Sequence, residues 1–161
     1  MDHVADAGSG DEWYTPPEIF ERLGLMFDLD PCSPGPNHWV PARRVMTKHV
    51  DGLVQPWGGL VFMNPPFSGR LGHVPWLRKF IDHGNGIAIV RAYTSAGWFH
   101  DFATKAETMV FPRGKTKFVR PGGFIGLAPN HGVVLLGMGE EANCALARCG
   151  LGFFVMCHQL K

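Results

Sequence analysis

Apolar positions along the chain switch repeatedly between short continuous runs and helix-spaced stripes. Met26-Phe27-Asp28-Leu29-Asp30 alternates as a strand does and stops at Pro31. Leu60-Val61-Phe62-Met63 and Gly86-Ile87-Ala88-Ile89-Val90 are almost unbroken apolar runs, the pattern of strands covered on both faces. Arg44 to Lys48, Thr108 to Phe111 and Leu151 to Met156 read as further strands, and Gly132 to Leu136 as a strand or one arm of a hairpin. Thr15-Pro16-Pro17-Glu18 has the form of a helix start, with Thr15 as cap. Ile19, Phe20 and Leu23 supply its buried stripe and Gly24 ends it. Val74 to Asp82 is amphipathic, with Trp76, Leu77, Phe80 and Ile81 opposite Arg78 and Lys79. Ser95 through Ala103 and Glu140 to Arg148 complete the helices. This alternation predicts an α/β sandwich with a mainly parallel sheet. Residues 1–11 are small, polar and acidic and read as a loose tail, leaving 12–161 as one domain.

Composition agrees with that outline. A chain of 161 residues fits one domain and buries on the order of two-thirds of its unfolded surface. With 45% apolar and 18% charged residues it is globular in character. No apolar run approaches the length of a membrane span, and no basic-then-apolar leader opens the chain, which predicts a cytoplasmic protein. The 21 glycines and 13 prolines make about one residue in five, so elements are short and loops shaped. Cys32, Cys144, Cys149 and Cys157 form no C-x-x-C pair and the histidines no ligand spacing, so reduced thiols and no metal are expected.

Net charge is only +1, but its distribution is uneven. Residues 1–42 carry eight acids and one base, whereas 43–120 carry twelve bases and four acids. Arg113, Lys115, Lys117 and Arg120 fall within eight residues, with no acid between Thr108 and Gly139. Such a run is either a solvated charged loop or a phosphate-binding surface.

In sheets of this kind ligands bind where loops leave the carboxyl ends of strands. Asp30-Pro31-Cys32, Asp51-Gly52-Leu53 and Asn64-Pro65-Pro66-Phe67 all fall at that edge. Consecutive prolines fix two φ angles and remove two N–H donors, so the adjoining carbonyls stay free. Pro65 also holds Asn64 in an extended pose. The Asn64 side-chain oxygen and the Pro65 carbonyl then form a rigid pair of acceptors, with the flat face of Phe67 beside them. Such a pair suits a planar –NH2 on a ring: accepting both N–H protons localises the nitrogen lone pair, which can attack a sulfonium methyl directly. A base inside a duplex must first be flipped out. The plainer alternative is a strand-ending turn.

In order, Trp13-Tyr14-Thr15-Pro16, Phe27-Asp28-Leu29-Asp30-Pro31-Cys32, Asp51-Gly52-Leu53 with Trp57, and Asn64-Pro65-Pro66-Phe67-Ser68 resemble the phage-type DNA N6-adenine methyltransferase (Dam-type) family. Thr94 to His100 and Gly114 to Phe118 follow in the family's order, so the resemblance covers roughly 11–137. It implies an abbreviated class I methyltransferase (Rossmann-like) three-layer sandwich, S-adenosyl-L-methionine as methyl donor, and adenine in double-stranded DNA as acceptor, in a phage or prophage setting. By position, Asn64, Pro65, Pro66 and Phe67 would be catalytic. Thr15, Pro16, Asp30, Pro31, Cys32, Asp51 and Leu53 would hold the cofactor, Asp30 as its polar contact and Asp51 on its adenine. Thr15 as a helix cap, Cys32 as core filler and Asp28 as a solvent-facing carboxylate remain open. Arg70, Arg113, Lys115, Lys117 and Arg120 would meet DNA, with loops 68–73 and 112–124 expected to read bases because no long insertion offers a separate recognition domain.

The chain also departs from the family. Cys32-Ser33-Pro34-Gly35-Pro36 stands where a glycine-rich turn is usual, only 34 positions separate Asp30 from Asn64, and Phe67 replaces a commoner tyrosine. Two other readings stay open: the same chemistry on an RNA base or protein amide, and a non-catalytic nucleic-acid-binding module.

Overall fold

The computed structural model describes residues 13–35, 38–67, 72–120 and 131–157. The predicted tail at 1–11 therefore lies outside the described residues, as do Arg70 and Pro36. Seven strands form one sheet: β1 (Phe27–Asp30), β2 (Ala42–Val45), β3 (Val61–Met63), β4 (Gly86–Arg91), β5 (Thr108–Pro112), β6 (Val133–Met138) and β7 (Gly152–Met156). Helices α1 (Pro17–Leu23), α2 (Val74–His83), α3 (Gly97–Asp101) and α4 (Glu140–Arg148) pack on it, with a 3-10 turn at Ala103–Lys105.

The strand order is β2-β1-β3-β4-β6-β5-β7. Strands β1 to β5 point the same way and β6 and β7 run against them. The expected parallel pairing holds for β2-β1-β3-β4, whereas the three remaining pairings are antiparallel. The reason is β6, which returns between β4 and β5 and separates two strands of like direction. From β1 the chain moves outward to β2, then back across to β3 on the other side of β1. That reversal is a topological switch point, which opens a crevice at the carboxyl ends of β1 and β3.

Helices cover both faces, which gives the expected three layers. On one face Ile19, Phe20 and Leu23 of α1 and Ala142, Ala145 and Leu146 of α4 close over Phe27, Phe62, Ile87 and Leu135. On the other, Leu77 and Phe80 of α2 with Phe99 and Ala103 close over Leu29, Val61, Ala88 and Leu136. The two sets alternate along β1, β3, β4 and β6, as the period of two requires. At the edge, β7 leaves Phe153 and Met156 exposed.

Several boundaries differ from the sequence reading. Strand β2 is Ala42–Val45, not Arg44 to Lys48, because pairing with β1 sets Leu29 opposite Arg44 and ends near Met46, whose N–H donates to the Asp30 carbonyl at 2.8 Å. The helix at Ser95 through Ala103 is one turn of α3 followed by the 3-10 turn. Thr15 does not cap α1: Pro16 is the cap residue and makes no side-chain bond. Asp28 is a strut, accepting from Leu60 N at 2.8 Å and Arg43 Nη1 at 3.0 Å, which ties β1 to the start of β3 and to β2. The Leu60 N–H above all holds its carboxyl below the usual carboxylate range. Gly59 must stay glycine here, since its φ is +71° and a Cβ would fall 2.2 Å from the Asp28 carboxylate.

Phe62 joins core to crevice. It is 1% exposed, its ring centre lies 4.7 Å edge-on from that of Phe20, and the side chain also forms part of the crevice wall. Phe62→Ala is expected to lower unfolding free energy by about 3–5 kcal/mol in urea denaturation, with the transition still cooperative.

Candidate functional site

A cavity of about 390 Å³ opens at the switch point, within the range of small-molecule and cofactor sites. Four chain segments converge on it: 13–15 before α1, the loop after β1, the loop after β2, and the turn after β3. Trp13, Trp39 and Trp76 give it broad apolar walls, and Asp30 and Asp51 bring carboxylates to it.

The turn after β3 is held by its side chain. Asn64 Nδ2 donates to the Trp13 carbonyl at 2.7 Å and to Thr15 Oγ1 at 3.2 Å. Both amide protons are spent, and the orientation of the group is thereby set, so Oδ1 is the outward acceptor. Among the described residues nothing donates to Oδ1, nor to the carbonyl of Pro65. Thr15 is 3% exposed and its own carbonyl takes the Trp39 indole N–H at 2.8 Å, so the partner of Asn64 is itself fixed. Thr15 is thus no helix cap: its hydroxyl accepts from Asn64 in the cavity wall.

Asp30 is only 2% exposed, and the Cys32 N–H donates to its Oδ1 at 3.0 Å. Burial outweighs that one bond and raises its pKa to about 7. Burial, reinforced by Asp30, also pushes the Cys32 thiol well up, so it stays protonated, a wall of the cavity and not a nucleophile.

The Asp51-Gly52-Leu53 loop closes the far side. Asp51 Oδ1 accepts from Leu53 N at 3.0 Å, a local turn that leaves the exposed carboxylate at the cavity rim. A Cβ on Gly52 would lie 2.4 Å from the Pro31 carbonyl and 3.0 Å from the Trp76 ring, so only glycine lets the two loops meet. Sequence reasoning did not single out Lys79, which pins this loop: its Nζ donates to the carbonyls of Gly52 at 3.1 Å and Leu53 at 2.7 Å and lies 5.0 Å over the Trp57 ring. Trp57 adds an indole N–H to Gly52 O at 2.8 Å and stacks on Trp76. The signal for Lys79 was its place on the polar side of α2, where it resembles any solvated lysine.

Not every expected residue reaches the cavity. Pro16 and Leu53 lie outside its wall, Pro16 because it starts α1 and Leu53 because its backbone serves Lys79 and Asp51. Phe67 also lies beyond it, against Arg91 and His73. Arg113, Lys115 and Lys117 flank a separate shallow groove beside Pro16 and Glu18. Paired backbone bonds between Tyr14 and Val119, 2.8 and 2.9 Å, stitch the basic segment to the cavity's first wall. They set Arg120 4.8 Å over the Trp13 ring. Among the described residues no group of three or more His, Cys, Asp or Glu is placed to hold a metal, and no helix is long and apolar enough to cross a membrane.

A cavity of cofactor size at the switch point, walled by aromatic rings and bordered by the Asn64-Pro65-Pro66 turn, defines an α/β protein with a ligand-sized crevice at the carboxyl edge of its sheet. The chain matches the DNA N-6-adenine-methyltransferase (Dam) family model over residues 4–126, more than half its length, and belongs to that family. Membership assigns it to the enzymes that methylate the N6 amine of adenine in DNA. It shows no significant match among curated proteins or solved structures.

The titration of Asp30 gives a test of the cavity. In the unfolded chain its carboxyl ionises near 3.8, but when folded it keeps its proton to about 7. The unfolded state therefore releases its proton first, and stability falls as pH rises from about 4 to about 7, by at most about 4 kcal/mol. Asp30→Asn is expected to remove this slope, raising the melting temperature at pH 8 and converging on the wild type near pH 4.

Proposed function

We propose that the chain transfers a methyl group from S-adenosyl-L-methionine to N6 of an adenine in double-stranded DNA, at sites it selects by sequence. The observation that carries this reading is the Asn64 amide, whose protons are spent on Trp13 and Thr15 so that Oδ1 and the Pro65 carbonyl form an acceptor pair. The cavity fits the cofactor in size and chemistry: aromatic walls suit a purine, the buried Asp30 suits a cationic amino-acid end, and Asp51 at the rim suits an exocyclic amine. His38 Nδ1, buried in the same wall without a partner among the described residues, is a further polar group awaiting a ligand. When bound, the cofactor supplies an electrophilic methyl on a sulfonium.

The residues of the chain do the rest. Asn64 Oδ1 and the Pro65 carbonyl accept the two N6 protons, drawing the nitrogen lone pair out of conjugation and holding it in one direction. Positive charge then develops on N6 during transfer beside both carbonyl dipoles, and it is discharged when one N6 proton is released to water after the methyl has bonded. Pro65 and Pro66 keep the turn rigid through this change. Phe67, backed by Arg91, forms the apolar wall beside the adenine, which leaves the duplex at a cost of a few kcal/mol. Burial raises the Asp30 carboxyl toward neutrality, and a cationic ligand end beside it would restore the carboxylate.

Lys115, Lys117 and Arg113 are exposed on the same side as the Trp13–Thr15 segment and supply a track for the phosphate backbone. Arg120 lies over Trp13 at the cavity's edge, and Arg70 belongs to the same proposed contact set. We place this activity in the bacterial cytoplasm, in a phage or prophage setting.

Asn64→Ala is expected to lower methyl transfer to plasmid DNA at least about 100-fold, by far more than loss of the Trp13 and Thr15 ties weakens calorimetric binding of S-adenosyl-L-methionine. Near-normal turnover, or labelled methyl transfer to RNA or protein in preference to DNA, would overturn the assignment. Replacing both Lys115 and Lys117 by Glu is expected to weaken DNA binding and flatten the dependence of log K on log salt by about two. An unchanged slope would remove this segment from the interface.

A further inference from the structure

Beyond Phe67 the carboxyl edge carries a cationic cluster that neither the cavity nor the acceptor pair uses. Arg91 ends β4, its guanidinium carbon 4.6 Å from the Phe67 ring centre and 5.8 Å from that of Tyr93. Its Nε is buried without a partner, and it joins no ion pair, among the described residues. His73 packs against Phe67 at 5.4 Å and is 8% exposed, and its Nε2 likewise finds no partner there. The bond from Ala92 N to Gly132 O, 3.0 Å, brings the start of β6 alongside, and there Tyr93 Oη meets His131 Nδ1 at 3.3 Å.

Every electrostatic influence in this cluster is positive. Burial, then Arg91, lowers the pKa of His73, and burial, Arg91 and Lys115 lower that of His131. Among the described residues no carboxylate pairs with the guanidinium, and the group that would complement it is an anion that accepts from it. The carboxylate of the cofactor does not meet this need, since Arg91 forms no part of the cavity wall. A guanidinium whose plane is held on aromatic rings presents its N–H edge in the geometry that phosphate oxygens match.

We propose that Arg91 binds the backbone phosphate next to the adenine held at Asn64 and Pro65. This rests on the DNA reading above and adds to it a positioning residue for the target nucleotide. Phe67 links the two: its backbone continues the acceptor turn and its ring supports the guanidinium, so base and phosphate are held at a set spacing. Arg91 touches the backbone of the substrate and not the reacting amine, so its loss acts through placement of the nucleotide.

The test uses a fluorescein-labelled thymidine oligonucleotide with one central adenine, single-stranded so that no flipping is needed. A neutral methylphosphonate replaces the phosphate on either the 5′ or the 3′ side of the adenine. The expected result is about tenfold weaker binding of wild-type protein to one of these, by anisotropy, and little change with the other. Arg91→Gln should bind the unmodified strand about tenfold more weakly and ignore both methylphosphonates, and Arg91→Lys should recover part of the discrimination. Arg91→Gln that still discriminates, or wild-type protein indifferent to both substitutions, would overturn the proposal and leave the DNA reading standing. If Arg91→Gln fails to fold, the wild-type comparison alone decides. Wild-type protein that binds neither this strand nor its duplex would overturn the DNA reading and this inference together.

Discussion

The side-chain amide of Asn64 carries more of this structure than any other polar group. Its two protons go to the Trp13 carbonyl and the Thr15 hydroxyl, residues some fifty positions earlier in the chain. Those bonds fasten the segment before α1 across the end of β3 and so close one wall of the cavity. They also decide which end of the amide faces outward. A terminal amide is nearly symmetric in shape, and only its partners distinguish oxygen from nitrogen. Here the same two contacts that build the wall leave Oδ1 as an acceptor to which no described residue donates. Structure and chemistry therefore depend on one group, and Tyr14 and Val119 extend the tie to the basic segment that follows β5.

The switch point explains how so short a chain forms a cofactor-sized cavity. Strand β1 lies between β2 and β3, and no described helix intervenes between β1 and β3. The loops after β1 and β2 must then do what helices do elsewhere, giving the cavity rigid walls. Prolines stiffen the first loop, and Gly52 lets the second approach Pro31 and Trp76 closely. Lys79 reaches across from α2 to hold the second loop by its carbonyls. Rigidity comes from specific ties between loops, which matters because acceptor dipoles help a reaction only when they are already in place.

The electrostatics of the carboxyl edge divide along the Asn-Pro-Pro-Phe turn. On the cavity side stand Asp30 and Asp51; on the other stand Arg91 and, toward it, Lys115 and the two neutral histidines. Burial drives Asp30 toward its neutral form, whereas the Arg91 guanidinium rests on the Phe67 and Tyr93 rings with its Nε unpartnered among the described residues. A positively charged ligand end on one side and a phosphate on the other would each satisfy what folding leaves uncompensated.

Much of this was legible in the residues themselves. Period-two and continuous apolar runs mark the strands because each strand must bury one or both faces, and every helix but the broken one after β4 lies where its stripe places it. The Asn-Pro-Pro-Phe turn was legible because proline restricts backbone locally, whatever surrounds it. Asp30 could be placed at the edge, but its near-neutral carboxyl could not, since that depends on water excluded by distant segments. The role of Thr15 was misread as a cap because local pattern cannot show a partner across 49 positions. Leu53 and Pro16 were set near the cofactor by their place in a motif, yet both lie outside the cavity wall, Leu53 with its carbonyl held by Lys79 and Pro16 at the start of α1. Local composition determined which elements form and where the chain turns. Long-range hydrogen bonds, burial and the reversal at β1 decided which atoms face the cavity, because those are properties of segments that meet only after folding.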